Sequence, residues 1–249
     1  MSQDQAPTTM RLEAPAKLTL ELRMTGVRDD GYHLIDATMV TLELHDVVEF
    51  RTPGRGLTAS GPFADGVPLG PENLVAKALA LTGTTAAIHL HKRIPHGGGL
   101  GGGSADAAAV LRWAGWTDVA GASRLGADVS FCLVGGRARV RGIGEQIEPL
   151  DPMPEAITTI SPPFGCSTPV VYRAWDDLGG PRSSGPNDLE PAALAVEPRL
   201  AQWRDRIREV VGTPPILAGS GATWFVRGAH PELVDACPDG HVVVTRTRE

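Results

Sequence analysis

The sequence predicts an α+β fold in two parts, and three observations predict it. Apolar and polar residues alternate in several runs, as in strands, while other runs repeat at helical spacing. A glycine-rich stretch, with glycine at six of the seven positions from Gly97 to Gly103, falls between a strand and a helix. The Pro-rich segment Asp151 to Glu155 (DPMPE) then separates residues 1–152 from residues 153–249. A length of 249 residues suits one large domain or two small ones.

Residues 11–23 read as a half-buried strand, with Leu18, Leu20 and Leu22 on one face and Lys17, Thr19 and Glu21 on the other. The turn-rich RDDGYH (28–33) leads to a second strand, Val40 to Phe50. Gly and Pro fill residues 51–70, which predicts loops and short β segments. Asn73 to Leu81 reads as a helix and Ala86 to His91 as a short strand. Ser104 to Trp113 is the next helix, with Ser104 as its expected N-cap and Asp106 in its first turn, where negative charge is favoured. A strand pair, Arg137–Arg141 and Gln146–Leu150, surrounds the turn Gly142–Gly144. In the second half, strands are expected near Ala156–Ile160, Ile216–Leu217, Thr223–Arg227 and His241–Thr245. Helices are expected over Pro169–Leu178 and Leu200–Val211, with Arg204–Arg208 on a solvated face.

Hydrophobic residues make up 42% and charged residues 21%, an ordinary globular balance. The net charge of −6 argues against a nucleic-acid partner, which needs clustered Lys and Arg, but not against a single nucleotide. Cys132, Cys166 and Cys237 are odd in number and lack metal-ligand spacing, so reduced thiols in a cytoplasmic protein are expected. Residues 1–10 show no basic start and no apolar core, so no signal peptide is expected. No run approaches the ~20 apolar residues of a membrane span.

The glycine stretch has a physical use. Without a Cβ the backbone adopts positive φ and comes close to a ligand. Successive N–H groups then face one concavity, and the following helix adds free N–H groups and partial positive charge. A di- or triphosphate is the natural occupant. The stretch is not a Walker A loop, since no Gly-Lys-Ser/Thr closes it. It contains Gly-x-Gly-x-x-Gly (Gly97, Gly99, Gly102), but a dinucleotide fold places that motif after its first strand. A flexible surface turn is a further reading, less suited to a stretch led in by Ile94-Pro95 and followed by a helix.

PHGGGLGGGSADAA (95–108) closely resembles the ATP-binding motif of the GHMP kinases. PAKLTLEL (15–22), DDGYH (29–33), LGADVSFCLVGGRARVRGIGEQIEPL (125–150), STPVVY (167–172), NDLEP (187–191) and AGSGAT (218–223) resemble blocks of one branch, the 4-diphosphocytidyl-2-C-methyl-D-erythritol kinase family. The blocks are in the family's order and span about residues 11–227. The resemblance implies a two-domain GHMP kinase fold, with an N-terminal ribosomal-protein-S5-domain-2-like domain and a C-terminal ferredoxin-like α+β domain. It implies ATP with Mg²⁺, no dedicated metal site in the protein, and a small-molecule acceptor. A monomer or weak homodimer is expected.

The resemblance also assigns residues. Asp128 matches the family's catalytic Asp, which orients the acceptor hydroxyl and takes its proton. Lys17 matches the lysine paired with it, a cation that stabilises charge on the moving phosphoryl group. Pro95, Gly97, Gly98, Gly99, Leu100, Gly101, Gly102, Gly103 and Ser104 match the nucleotide loop. Tyr32 and His33 match the cytidine-binding pair, and Tyr172 an aromatic that covers the other face of cytosine. Thr168 and Asp188 lie in matching blocks, Gly219 and Gly221 are expected near substrate or phosphates, and His96 is given no role. Thr19 stands where the family usually has Asn, and segments 109–125 and 173–215 are shorter than the family's. A related GHMP kinase with another alcohol substrate and a non-catalytic nucleotide-binding homologue are the alternatives. Retention of Lys17 and Asp128 argues against the second.

Overall fold

A computed structural model describes residues 8–248. Its first half is built on a long antiparallel hairpin, β1 (Thr8–Val27) with β2 (His33–Thr52). There follow β3 (Leu57–Ser60), α1 (Leu74–Thr82), β4 (Ala87–His91), α2 (Gly102–Trp113), α3 (Val119–Ala122), α4 (Val129–Val134), β5 (Arg137–Gly142) and β6 (Gln146–Leu150). The far edge of β2 is shared: β4 pairs with its C-terminal part and β5 with its N-terminal part. Adding β3 beside β4 and β6 beside β5 completes a six-stranded sheet. The second half contains β7 (Ala156–Ser161), α5 (Thr168–Asp177), α6 (Glu190–Val196), α7 (Arg199–Val211), β8 (Ile216–Leu217), β9 (Trp224–Arg227), α8 (Leu233–Ala236) and β10 (His241–Arg246). Its four strands form one sheet in the order β10-β7-β9-β8.

Local chemistry accounts for the main helices. Asn73 caps α1 by accepting from the Val75 amide at 2.8 Å. Helix α2 carries alanine at 105 and 107–109, and those small side chains let it lie against β1, α1 and α4, buried from Ala105 to Leu111. Two expectations change here. The helix begins at Gly102 with Gly101 as its N-cap residue, so Ser104 lies inside the first turn and caps nothing. Asp106 falls one position beyond that turn, where it is buried and paired with Lys92. Glycine opens this helix because Gly101 stands at φ 69°, in the left-handed region that a residue without a Cβ adopts freely.

Strand β1 is buried on both faces from Ala16 to Leu20, not half-buried. One face carries Leu18 and Leu20 into a cluster with Ile157, Ala218 and Phe225 of the second half. Its other face carries Lys17 and Thr19 inward, and bulges between Pro15 and Lys17 and between Thr19 and Glu21 re-aim both. The halves are also laced by backbone bonds: Leu22 N–H to Pro186 O at 2.9 Å, Asp188 N–H to Leu22 O at 3.0 Å, and Arg248 N–H to Thr41 O at 2.8 Å. The Asp188 carboxylate accepts from the Met24 and Ser183 amides and from Arg23, each at 3.0 Å. Among the described residues no helix is long and apolar enough to cross a membrane.

Candidate active site

A cavity of about 740 Å³ opens where the two halves meet. At its floor the Lys17 Nζ lies 3.2 Å from Asp128 Oδ2 and donates to Thr19 Oγ1, also at 3.2 Å. The lysine side chain is 5% exposed and the aspartate side chain 31%, so the carboxylate is the partner that faces the opening. Asp128 occupies the N-cap position of α4, yet its side chain makes no capping bond. The carboxylate is therefore left to Lys17 and to whatever enters.

The glycine loop reaches the same cavity at Gly99. Its backbone alternates, with positive φ at Gly97, Gly99 and Gly101, a pattern that turns successive amides toward one side. The carbonyls anchor the loop. Leu100 O accepts from the Lys17 amide at 3.0 Å, Gly98 O from Thr223 at 3.2 Å, and Gly101 O from Ala105 at 2.8 Å. By contrast, the six amides from Gly99 to Ser104 donate no hydrogen bond among the described residues. Six free donors at a helix N-terminus are a cradle for an anion. Three glycines of the loop are sterically required, and a Cβ at Gly98 would stand 2.4 Å from Thr223 Oγ1. A Cβ at Gly99 would stand 2.2 Å from Ala218 O, and one at Gly101 would stand 2.7 Å from Lys17 Cγ. The bare Gly101 thus makes room for the lysine stem that carries Nζ to Asp128.

Tyr32, His33, Thr168 and Tyr172 all line the cavity, brought there from the β1–β2 turn and from α5. Tyr32 is 59% exposed and stands at the rim. The Tyr172 ring lies 4.9 Å from that of His33, and burial pushes its hydroxyl well above the ordinary range, so it stays neutral. His33 Nε2 sits 2.8 Å from Asp176 Oδ1, which fixes the ring's orientation. Thr168 Oγ1 bonds Ser220 Oγ at 2.8 Å, and Gly219 lies beside Lys17. Asp188 is not brought to the cavity; it is spent on tying β1 to residues 183–188. Gly221 packs on Leu217 and Cys166, behind the cavity lining. His96, at the outer side of the loop, is exposed.

Several supporting residues escaped the sequence reading. Asn187 donates to Leu217 O at 2.8 Å and Gly219 O at 2.7 Å, and so fixes the turn that backs the glycine loop. The NDLEP block contained it, but a long loop gave no sign of a buried amide. Asp176 and Ser220 were missed because a hydrogen bond between distant segments leaves no periodic mark.

Residues 73–136 match the model of the GHMP kinases N terminal domain. The 4-diphosphocytidyl-2-C-methyl-D-erythritol kinase of Paracoccus denitrificans is 40% identical over 238 residues, covering 88% of this chain and 87% of that protein. The kinase of the same name from Pelotomaculum thermopropionicum is 36% identical, covering 94% of this chain and 96% of its own length. Among solved structures, a 4-(cytidine 5'-diphospho)-2C-methyl-D-erythritol kinase superposes with a TM-score of 0.77 at 31% identity, over 96% of this chain and 100% of that one. A homoserine kinase from Cytophaga hutchinsonii shares the fold, at a TM-score of 0.61 and 15% identity. Sequence, fold and the cavity between the two sheets agree: this chain belongs to the 4-diphosphocytidyl-2-C-methyl-D-erythritol kinase family of the GHMP kinases.

Proposed function

We propose that the protein transfers the γ-phosphoryl group of ATP to the 2-hydroxyl of 4-diphosphocytidyl-2-C-methyl-D-erythritol, a step of non-mevalonate (MEP) isoprenoid precursor synthesis. One observation carries this reading: an acid–base pair 3.2 Å apart lies in one cavity with a glycine loop whose amides are free. On this reading residues 1–152 form the ATP-binding domain, residues 153–249 the second domain, and the acceptor binds between them.

The residues divide the work. Gly97 to Ser104 hold the triphosphate through backbone N–H groups and the start of α2, and Pro95, which has no N–H, stiffens the chain that leads into them. Asp128 accepts the proton as the acceptor oxygen forms its bond to phosphorus and the bond to the ADP oxygen breaks. Lys17 holds Asp128 in place and stabilises charge on the transferring group. Magnesium arrives with ATP as part of the substrate, bound mainly by phosphates and water, and it neutralises phosphate charge. Tyr32 and Tyr172 both line the cavity and offer it aromatic rings on which the cytosine base stacks. Asp176 occupies the Nε2 of His33, which leaves Nδ1 as the ring nitrogen available to hydrogen-bond the edge of a base such as cytosine. Thr19 and Thr168 supply hydroxyls along the acceptor path.

A substrate panel tests the reading. Purified protein is incubated with MgATP and, separately, the cytidine diphosphate-linked acceptor, free methylerythritol phosphate, homoserine and mevalonate. The expected result is ADP and a new phosphate monoester, seen by phosphorus NMR, with the cytidine-linked acceptor alone. Turnover of another alcohol in its place would refute the substrate assignment.

A further inference from the structure

Beneath the glycine loop lies a second ionic cluster that the chemistry above does not use. Asp46 of β2, Lys92 just after β4 and Asp106 of α2 are each at least 97% buried. Lys92 Nζ donates to Asp46 Oδ2 and, at 2.5 Å, to Asp106 Oδ2. The second oxygen of Asp46 accepts from the Arg93 amide at 2.5 Å and the Ile94 amide at 2.9 Å. Asp106 Oδ1 has no partner among the described residues.

The placement is specific. Residues 92–94 lead into the loop, and Asp106 lies in the helix that leaves it. One lysine therefore clamps the start of the loop to its end, and Asp46 fixes both the lysine and the chain leading in. Such a cluster is costly as stability. Two carboxylates share one ammonium in a dry interior, and burial raises the proton affinity of Asp106 while the facing carboxylates raise that of Lys92 against burial. Apolar side chains would fill the same space at less cost. What an ionic clamp adds is a fixed distance between its partners, and the amides between those ends must converge on phosphates.

We propose that Asp46, Lys92 and Asp106 form a positioning unit that sets the spacing of the phosphate cradle, so that they govern ATP binding without touching ATP. The proposal rests on the reading that residues 97–104 hold ATP. Asp106→Ala removes the clamp at the helix end, whereas Asp106→Asn keeps an oxygen for Lys92. The expected result for Asp106→Ala is a KM for ATP raised at least tenfold, with the KM for the acceptor within twofold of wild type. Asp106→Asn should recover most of the ATP affinity.

Direct ATP titration of the same proteins by calorimetry, with thermal melts alongside, separates the outcomes. Wild-type protein that binds no ATP would remove the reading of the loop itself. Wild-type protein that binds ATP, beside a folded Asp106→Ala that binds it equally well, would overturn the positioning unit. A lower kcat with both KM values unchanged would also overturn it, since that pattern reports only a smaller folded fraction. Should Asp106→Ala not fold, the apolar double variant Lys92→Met with Asp106→Leu takes its place, since it removes the clamp while Asp46 keeps its backbone amides: hydrogen exchange at residues 97–104 must slow on adding ATP less than in wild type, and identical protection would refute the proposal.

Discussion

At the scale of single residues, the site is a matter of what each side chain is left free to do. Asp128 sits where a helix cap would be, yet caps nothing, and its carboxylate meets Lys17 instead. Tyr172 is held against His33, with its ring in the cavity lining. Stacking of a base on such a ring is worth roughly 1–3 kcal/mol, about 5- to 150-fold in affinity. Tyr172→Ala should therefore raise the KM for the cytidine-linked acceptor within that range and leave the KM for ATP unchanged. Steady-state kinetics with each substrate varied in turn checks this; an equal rise for ATP would place Tyr172 elsewhere in function. The Thr19 position illustrates a milder change. Its hydroxyl already accepts from Lys17, so it supports the lysine, but it offers one donor where an amide would offer two.

At the scale of elements, the glycine loop works because its carbonyls are spent and its amides are not. Gly101 joins the two functions, since it turns the chain at φ 69° and leaves room for the Lys17 stem. Gly101→Ala would strain a left-handed residue by about 1–2 kcal/mol and push on Lys17 Cγ. A displacement of about 1 Å at the reacting groups costs on the order of 10²-fold in rate. The expected result is thus a fall of that size in kcat in a protein that still melts cooperatively; an unchanged kcat would contradict the packing described. The alternating pattern of β1, the apolar run of β2 and the Gly-to-helix junction were legible because period and turn chemistry are local properties. The resemblance of PAKL, GYH, GADV and STPVVY located the site residues that periodicity could not. Short helices such as α3, α4, α6 and α8 were not legible, because four to seven residues give too little periodicity to detect. Ser104 was misread as a cap because its residue type favours that role, whereas the turn's geometry let glycine take it. The Asp46–Lys92–Asp106 cluster joins residues up to 60 positions apart, and charge in the sequence reads by default as solvent-facing.

At the scale of the whole molecule, two sheets with separate strand ladders are joined through a shared cluster around Leu18, Leu20, Ile157 and Phe225 and by backbone bonds such as Arg248 to Thr41. The same strand β1 that carries this cluster on one face carries Lys17 on the other. The turn at 218–223 of the second half in turn backs the glycine loop of the first, with Thr223 bonded to Gly98. On the proposed reading, a site assembled this way places ATP, acceptor and acid–base pair at one junction, and the chemistry depends on a single carboxylate, Asp128, among the residues lining the cavity. The most direct test is Asp128→Asn, assayed for phosphoryl transfer to the cytidine-linked acceptor and for ATP affinity by calorimetry. General-base removal predicts a fall in turnover of roughly 10²–10⁴-fold with the ATP dissociation constant within twofold of wild type. A folded Asp128→Asn protein that turns over at the wild-type rate would contradict the central claim.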